Sequence, residues 1–247
     1  MPSLPPASLL PPKAGALATR KRGKAPVGNE SPEALAAHQA YYVGSSGKKA
    51  IYLTFDCGYE NGNTGKILDT LKEKEVPAAF FLTGDFLASA PELARRMVQE
   101  GHIAGNHTDT HPDMTKFSSL EEFQKELTAV ETVFHEITGS SLAPFYRPPQ
   151  GIYSDRSLEY AKEAGYHTIF WSLAHVDWNQ EAQPAWEEMY EKLVRRIHPG
   201  AIVLLHSTSQ ANTEYLGRLI DEWKTAGYRF GKFNLGRSPF AKDYVPN

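Results

Sequence analysis

The sequence predicts an α/β fold: a distorted (β/α) barrel with about seven parallel strands, formed by a single domain. Short apolar runs alternate with segments of helical periodicity, which is the pattern of βαβ units and a parallel sheet. Periodicity alone does not separate a barrel from a doubly wound sheet. Polar clusters follow many of the strands rather than one switch point, and this favours the barrel.

The chain is predicted to begin with a leader and to continue as one domain. Residues 1–48 are rich in Pro, Gly and Ala, and we expect them to be partly ordered, with a short helix across 31–41 packed on the barrel. Residues 49–247 form the domain, a length that one α/β barrel commonly fills.

Strands and helices are predicted to alternate from residue 50 onward. The predicted strands are 50–55, 78–82, 103–105, 145–146, 168–172, 201–205 and 228–230. The predicted helices are 62–75, 91–100, 120–138, 155–164, 185–197 and 213–226. Helix ends are indicated by glycines that tolerate the left-handed cap conformation: Gly101, Gly139, Gly165 and Gly227. Ser118 or Ser119, followed by two glutamates, indicates a helix start.

Composition excludes several classes of protein. A net charge of −3 argues against a broad nucleic-acid surface, and the basic run at 20–24 in the leader suits solvent or an anionic wall polymer. We expect no stable membrane insertion, because no apolar stretch approaches the length of a span. Prolines interrupt any signal-like run near the start, so the chain is either cytoplasmic or lacks a signal that preceded it. The single cysteine fits either compartment.

Two histidines and the cysteine are candidate metal ligands. His107 and His111 stand four residues apart, which points both rings one way if the backbone makes a helical turn. Two solvated loop histidines are the alternative. Cys57 follows Asp56 at the end of a strand; a buried cysteine is usually apolar filler, but a thiolate beside the two imidazoles would complete a three-ligand zinc site with an open position.

Charged residues after other strands are candidates for acid–base chemistry. We expect Arg147 to hold a carboxylate, that of Asp56, in a bidentate fork; a structural ion pair is the alternative. Asp177 is expected to orient His206 and raise its pKa, making it a proton donor near neutral pH. The structural alternatives are that Asp56 only caps the turn after its strand and that His206 is a hydrogen-bonded histidine of the core.

Five segments in order resemble the motifs of the polysaccharide deacetylase family, carbohydrate esterase family four, which has the NodB-homology domain. TFDCGYENG resembles its TFDDG motif, and HTDTH resembles its His-Ser/Thr-x-x-His motif. RPPQG, VDW and LLH resemble the three motifs that follow, and together the segments span 54–207. The GYENG extension is similar to bacterial enzymes that deacetylate N-acetylmuramic acid in peptidoglycan on the way to muramic δ-lactam in spore cortex.

The resemblance implies a role for each matching position. It makes Asp56 the base, His206 the acid, Arg147 and Asp177 their partners, and His107 and His111 the ligands of a divalent metal. It also implies substrate contacts: the Gln150 amide on the oxyanion, Trp178 and Leu204 around the acetyl methyl, and Tyr59 beside the sugar.

The chain departs from the family pattern at two positions. Cys57 replaces the second Asp, a metal ligand in the family, and would bias the site toward zinc if it ligates. Gln150 replaces an aromatic residue, which matters little if only its backbone is used.

The resemblance also sets expectations for partner and location, and leaves rival functions open. The implied partner is a peptidoglycan glycan strand, the implied location is extracytoplasmic at the cell wall, and we expect a monomer. The rivals are deacetylation of N-acetylglucosamine polymers or chitin, ester cleavage on acetylated xylan, and a non-catalytic glycan-binding protein with an altered metal site. A Cys57 nucleophile paired with His206 is a further alternative, but it would leave the two other histidines unexplained.

Overall fold

The computed structural model describes residues 23–179 and 185–234. Within these residues nine strands form one sheet in which every strand pair is parallel. The sheet curls into a half-barrel of a single domain, so the predicted distorted barrel is confirmed. The strands are β1 Ala40–Tyr41, β2 Ala50–Cys57, β3 Ala78–Leu82, β4 Ile103–Asn106, β5 Phe145–Tyr146, β6 His167–Ile169, β7 Leu173–Ala174, β8 Ala201–His206 and β9 Arg229–Phe230.

The order of the strands places the longest strand near one end of the curled sheet. The order is β1-β6-β5-β4-β3-β2-β8-β7, and β9 adds to the start of β2. β2 pairs in register with both β3 and β8, so that Asp56 lies opposite His206. This register brings two predicted site residues onto neighbouring strands.

Eight α-helices accompany the strands in the part of the chain that the structure describes. They are α1 Pro32–Ala37, α2 Thr64–Glu73, α3 Gly84–Ser89, α4 Pro91–Gln99, α5 Leu120–Thr138, α6 Asp155–Glu163, α7 Trp186–Arg196 and α8 Gln210–Thr225. Sequence analysis identified all of them except α3, whose six residues are too few to display a helical period. As predicted, α5 begins at a serine cap, with Ser119 accepting from the Glu122 amide at 3.2 Å, and ends at Gly139 with φ of 70°.

The segment before residue 49 contributes to the sheet. The helix expected across 31–41 occurs as α1, and β1 follows it and pairs with β6. Leu35 and Tyr42 pack with Leu158 and Phe170 in a small apolar cluster against the edge of the barrel. The sheet therefore starts earlier in the chain than the expected boundary at 48, while residues 1–22 of the leader lie outside the described residues.

The prediction of one strand across 168–172 is wrong, because the chain changes sheet edge there. β6 ends at Ile169 beside the edge strand β1, and β7 begins at Leu173 as the opposite edge. Four residue steps span at most about 14 Å, so the two edges lie close together. We call residues 169–173 the seam. An antiparallel bridge between Val43 and Ala201 also ties the two sides together.

The two faces of the sheet bury different groups. Alternate residues of β2 face opposite sides, and Ile51, Leu53, Phe55 and Cys57 belong to the core between the sheet and the helices. Ala50 and Tyr52 belong to the smaller apolar cluster inside the curl. Asp56 shares their parity, so the strand places its carboxylate inside the curl and the neighbouring thiol outside it.

No helix within 23–179 and 185–234 is long and apolar enough to cross a bilayer.

Candidate active site

All five polar clusters predicted from the sequence follow strands of this parallel sheet. Asp56 is the penultimate residue of β2, and His206 is the last residue of β8. His107 directly follows β4, Arg147 directly follows β5, and Asp177 lies three residues after β7. Because parallel strands point the same way, their carboxyl ends share one rim, and the clusters meet there.

Asp56 and Arg147 form a buried ion pair. Arg147 Nη1 donates to Asp56 Oδ1 at 2.7 Å, and the arginine side chain has no exposed surface. The other guanidinium donors bind the seam: Nε donates to Ile169 O at 2.9 Å, and Nη2 donates to Phe170 O at 3.3 Å. The pairing is as predicted, but it is a single hydrogen bond rather than a bidentate fork, because the other two guanidinium nitrogens donate to the seam carbonyls.

The environment keeps the Asp56 carboxyl ionised. Burial by itself raises the pKa of this carboxyl, but the charges of Arg147, His107 and His206 and the hydrogen bond from Arg147 lower it further than burial raises it. The net shift is downward, so Asp56 is a carboxylate at neutral pH. Its Oδ2 lies 3.6 Å from His107 Nε2. One carboxylate oxygen is therefore held by arginine, and the other faces the histidine side of the rim.

His107 and His111 lie side by side on a shaped loop. Their ring centroids are 4.9 Å apart, and Thr108 and His111 both have positive φ values, 69° and 56°. The turn is held by Thr108 Oγ1, which accepts from the His111 amide at 3.1 Å. Non-glycine residues in this region of φ cost energy that the surrounding contacts must offset, which is common at functional sites.

The two imidazoles fit a divalent metal. His107 Nδ1 donates to Arg147 O at 2.8 Å, because a carbonyl only accepts, and this leaves the Nε2 lone pair available. Burial lowers the pKa of His107 to about 4 and also lowers that of His111, so both rings are neutral at pH 7. Neutral imidazoles are ligands for zinc and related ions. Across the described residues, no group of three or more His, Cys, Asp or Glu side chains forms a metal site.

The placement of Cys57 contradicts its predicted role as a metal ligand. Cys57 lies in the apolar core between sheet and helices with no exposed surface, on the sheet face opposite Asp56. Burial raises the pKa of its thiol far above the ordinary value, so no thiolate forms near neutral pH. The prediction overlooked the period of two along a strand, which turns adjacent residues to opposite faces. The same placement removes Cys57 as a nucleophile.

His206 and Asp177 form the second pair of the site. His206 Nδ1 donates to Asp177 Oδ1 at 2.6 Å, and the backbone N–H of His206 donates to Asp177 Oδ2 at 2.9 Å. Burial alone would lower the pKa of His206, but the Asp177 charge and hydrogen bond, with Asp56, raise it above 6.5. The pair thus has the geometry and the pKa shift expected of it, and His206 Nε2 carries the second proton when the ring is charged.

The residues expected to contact substrate lie around the same rim. Leu204 shares the sheet face of His206 and is buried, and Gln150 has an exposed side chain and a left-handed backbone (φ 57°) in the turn after Arg147. Tyr59 and Trp178 are 50% and 59% exposed, after β2 and β7. These two strands flank β8, the strand that ends at His206. Their substrate contacts stay predictions.

The extension after Asp56 supports the loop that follows His206. Asn61 and Asn63 both donate side-chain hydrogen bonds to Thr208 O, at 2.7 and 3.0 Å. Thr83 Oγ1 donates to Gly58 O at 2.7 Å and holds the start of the extension. The GYENG segment is therefore part of the scaffold that fixes the loop after β8.

Sequence analysis missed two buried asparagines that hold the site together. Asn106 Nδ2 donates to Leu127 O and Tyr166 Oη, and its Oδ1 accepts from the Thr108 amide at 2.9 Å. Asn212, on α8, contacts Asp177 and His206. Asn106 immediately precedes the histidine motif, a signal that could have been used. Asn212 lies among polar residues in the sequence, and nothing local sets it apart.

One rim of the curled parallel sheet holds all of these groups. They are the Asp56 carboxylate bound by an arginine, the His206 imidazole bound by a carboxylate, and the two neutral imidazoles. A site of this kind on this fold defines the class of carbohydrate deacetylases and esterases. The polysaccharide deacetylase profile matches residues 44–169, about half of the chain. The chain belongs to the polysaccharide deacetylase family.

Relatives of known sequence and structure agree with this assignment. The chain is 42% identical over 203 residues to the peptidoglycan N-acetylmuramic acid deacetylase PdaA of Bacillus subtilis, covering 82% of this chain and 77% of that one. The PdaA structure, titled a family 4 carbohydrate esterase, superimposes with a TM-score of 0.81 at 40% identity, over 87% of this chain and 93% of that one. A family 4 carbohydrate esterase from Bacillus anthracis gives a TM-score of 0.70 at 45% identity, over 80% and 86% of the two chains.

A further structural relative is described as inactive. It is a pseudoenzyme of the same carbohydrate esterase family from Bacillus anthracis, with a TM-score of 0.71 at 30% identity, covering 82% of this chain and 68% of that one. The same fold therefore also occurs in a pseudoenzyme.

Proposed function

We propose that this protein is a metal-dependent hydrolase that removes the N-acetyl group from N-acetylmuramic acid in peptidoglycan. The observation that carries the proposal is the coupling of two pairs, Asp56 with Arg147 and Asp177 with His206, on adjacent strands of one rim. The 42% identity to PdaA supports muramic acid as the substrate. The product would enter muramic δ-lactam synthesis in spore cortex, and the protein would act as a monomer outside the cytoplasm.

Asp56 and His206 divide the proton transfers between them. Asp56 Oδ2, the oxygen not bonded to Arg147, takes a proton from the attacking water, whose oxygen forms a bond to the acetyl carbon. His206 Nε2 then gives its proton to the departing nitrogen, and the C–N bond breaks to leave acetate and a free amino sugar. Asp177 holds the opposite ring nitrogen and so keeps the acid in the correct orientation.

The remaining residues of the rim bind the metal and the acyl group. His107 and His111 would hold a divalent ion of the kind that imidazole suits, of which zinc is one, and a bound ion of this kind lowers the pKa of water and polarises a carbonyl. The Gln150 N–H would donate to the oxyanion; losing one such donor typically costs roughly 3 kcal/mol in the transition state. Leu204 and Trp178 would contact the acetyl methyl, and Tyr59 the sugar.

Metal removal and resupply tests the function. We expect the metal-free protein to release no acetate from peptide-free peptidoglycan, and zinc to restore release, with slower release from chitooligosaccharide. Faster release from chitooligosaccharide would favour N-acetylglucosamine polymers. A Cys57→Ala variant should bind the same amount of zinc and retain the activity, because the thiol lies on the other face of β2. Loss of zinc binding in that variant would contradict the core placement.

The rate should fall at alkaline pH as His206 loses its proton. The pKa of His206 is raised above 6.5 in the folded chain, so the protonated acid persists past that pH and is lost as the pH rises through the raised value. An Asp177→Asn variant should move the alkaline limb of kcat/KM to lower pH, because the charge that raises this pKa is removed. The measurement is kcat/KM against pH for both proteins. Identical alkaline limbs would contradict the assignment of the acid.

A non-catalytic glycan-binding protein is the second candidate. Two observations favour it: Cys57 supplies no ligand, and a relative with the same fold is described as a pseudoenzyme. This candidate predicts glycan binding without acetate release even when zinc is bound. Bound zinc measured together with acetate release separates the two functions.

A further inference from the structure

Asn212 links the acid pair to a helix. It lies in the first turn of α8, fully buried. Its side-chain Nδ2 donates to Asp177 Oδ2 at 2.8 Å and to His206 O at 2.8 Å. A single amide therefore contacts both members of the pair, and both of its donor hydrogens are used.

The orientation of this amide is determined by its partners. A carboxylate and a carbonyl only accept, so the amide nitrogen must face Asp177 and His206. Asn212 Oδ1 then faces the Tyr215 hydroxyl, which donates to it. Tyr215 lies three residues further along α8 and is fully buried, so packing holds its ring. The contacts form a chain in the order Tyr215, Asn212, Asp177, His206.

Asp177 depends on such a contact because its own segment has little regular structure. It lies in residues 175–179, which follow the two-residue strand β7 and form neither helix nor strand. By contrast, α8 is anchored in the core through residues that include Leu216, Leu219 and Trp223. Asn212 therefore connects a carboxylate on an irregular segment to a rigid element of the fold.

We infer that Asn212 is a positioning residue for the acid His206: it fixes the Asp177 carboxylate so that His206 keeps its proton on Nδ1 and presents Nε2 to the substrate. The inference rests on the proposed function for its effect on rate, but not for its effect on the imidazole tautomer. Asn212 itself touches neither substrate nor reacting atoms in this arrangement.

Two variants test the inference. Asn212→Ala should lower kcat about tenfold to a hundredfold while KM changes less than about twofold, because misplacing a catalytic group by a fraction of an ångström costs rate rather than binding. Tyr215→Phe removes only the hydroxyl that orients the amide, and it should give a smaller fall in the same direction. Acetate release from peptide-free peptidoglycan by the zinc-loaded full chain gives both constants.

The tautomer of His206 provides a readout that a merely structural role would not change. In ¹⁵N NMR spectra of the full chain, with the His206 signals assigned by their loss in His206→Gln, the native ring should show a protonated Nδ1. Asn212→Ala should shift the signals toward a mixture of the two neutral tautomers. Ser209→Ala is the control: the Ser209 hydroxyl caps α8 by accepting from the backbone N–H of Asn212 at 3.4 Å, so its loss should lower the Tm but leave tautomer and kcat unchanged.

The outcomes separate the inference from the proposed function. An unchanged tautomer and an unchanged kcat in Asn212→Ala would overturn the inference, whatever the native activity. A native chain that releases no acetate would contradict the proposed function, and the tautomer comparison would still decide the role of Asn212. Equal loss of kcat in Ser209→Ala and Asn212→Ala, with the same tautomer in both, would show a general effect of helix stability and overturn the inference.

Discussion

Replacing Asp56 with asparagine is expected to lower kcat/KM about 10³-fold, the scale typical of general acid–base catalysis. The amide keeps the shape of the carboxylate but accepts no proton from water. The change also leaves Arg147 without its buried counter-ion, while the two seam carbonyls still accept from that side chain. We therefore expect the variant to fold, with reduced stability. Acetate release and circular dichroism measure the two effects.

The control for Asp56→Asn is the same substitution at a surface carboxylate. The Asp69 side chain is 71% exposed on α2, where it pairs with Arg96. Asp69→Asn should retain activity within about twofold, since exposed ion pairs contribute little. An Asp56→Asn protein with more than a tenth of native activity would refute the assignment of Asp56 as the base.

Replacing Arg147 with methionine is expected to lower the free energy of unfolding by about 3–5 kcal/mol, as for other buried ion pairs that lose one partner. Methionine keeps much of the apolar length of the side chain, but it leaves Asp56, Ile169 O and Phe170 O without their donors. Activity should fall as well, because the carboxylate loses the contact that orients it.

The pH dependence of stability identifies the source of the loss. In the native chain the pKa of Asp56 is lowered below 3.8, so this group stabilises the fold above that pH, and the stabilisation is lost as the pH falls through the lowered folded value. Without Arg147 only the weaker effects of His107 and His206 oppose burial, and we expect the folded pKa to be raised instead. The variant should then lose stability as the pH rises through the raised value. The difference in free energy of unfolding between the native chain and Arg147→Met, measured by urea unfolding, should therefore be larger at pH 7 than at pH 4.

A double variant and a surface control complete the test. Adding Asp56→Asn to Arg147→Met should cost less than the sum of the single changes, because the uncompensated charge is gone. Arg95→Met removes an exposed arginine whose Nε donates to Ile137 O, and it should change stability by no more than about 0.5 kcal/mol. Strict additivity of the two buried changes would show that the pair is not coupled.

Much of the fold followed from local pattern. Apolar runs such as 50–55 and 201–205 gave strands within one or two residues of their observed bounds, because a continuous apolar run between helical segments suits a strand buried on both faces. Three short elements, β1, β7 and α3, were not identified, since so few residues show no period, whereas the equally short β5 and β9 were found as apolar runs.

Cys57 shows where residue chemistry misled and a local rule was sufficient. The thiol was expected beside His107 because it follows Asp56 at a strand end and a thiolate is a good zinc ligand, and the family motif also places a metal ligand at this position. Strand alternation alone, counted from the buried Phe55, places residue 57 on the same face as Phe55 and opposite Asp56. The local geometry was available from the sequence, and the structure agrees with it.

The sequence by itself determined the class of fold and the meeting of its polar clusters at one rim. Each strand and the polar cluster that follows it can be recognised locally, and parallel strands have their carboxyl ends at the same rim. The pairing of Arg147 with Asp56 was predicted from the sequence, but only the tertiary structure decided that Arg147 also bonds the seam and that Asn212 bonds the acid pair. These contacts join residues up to 91 positions apart in the chain. Such pairings depend on the curl of the sheet and the register of β2 with β8, which no short stretch of sequence encodes.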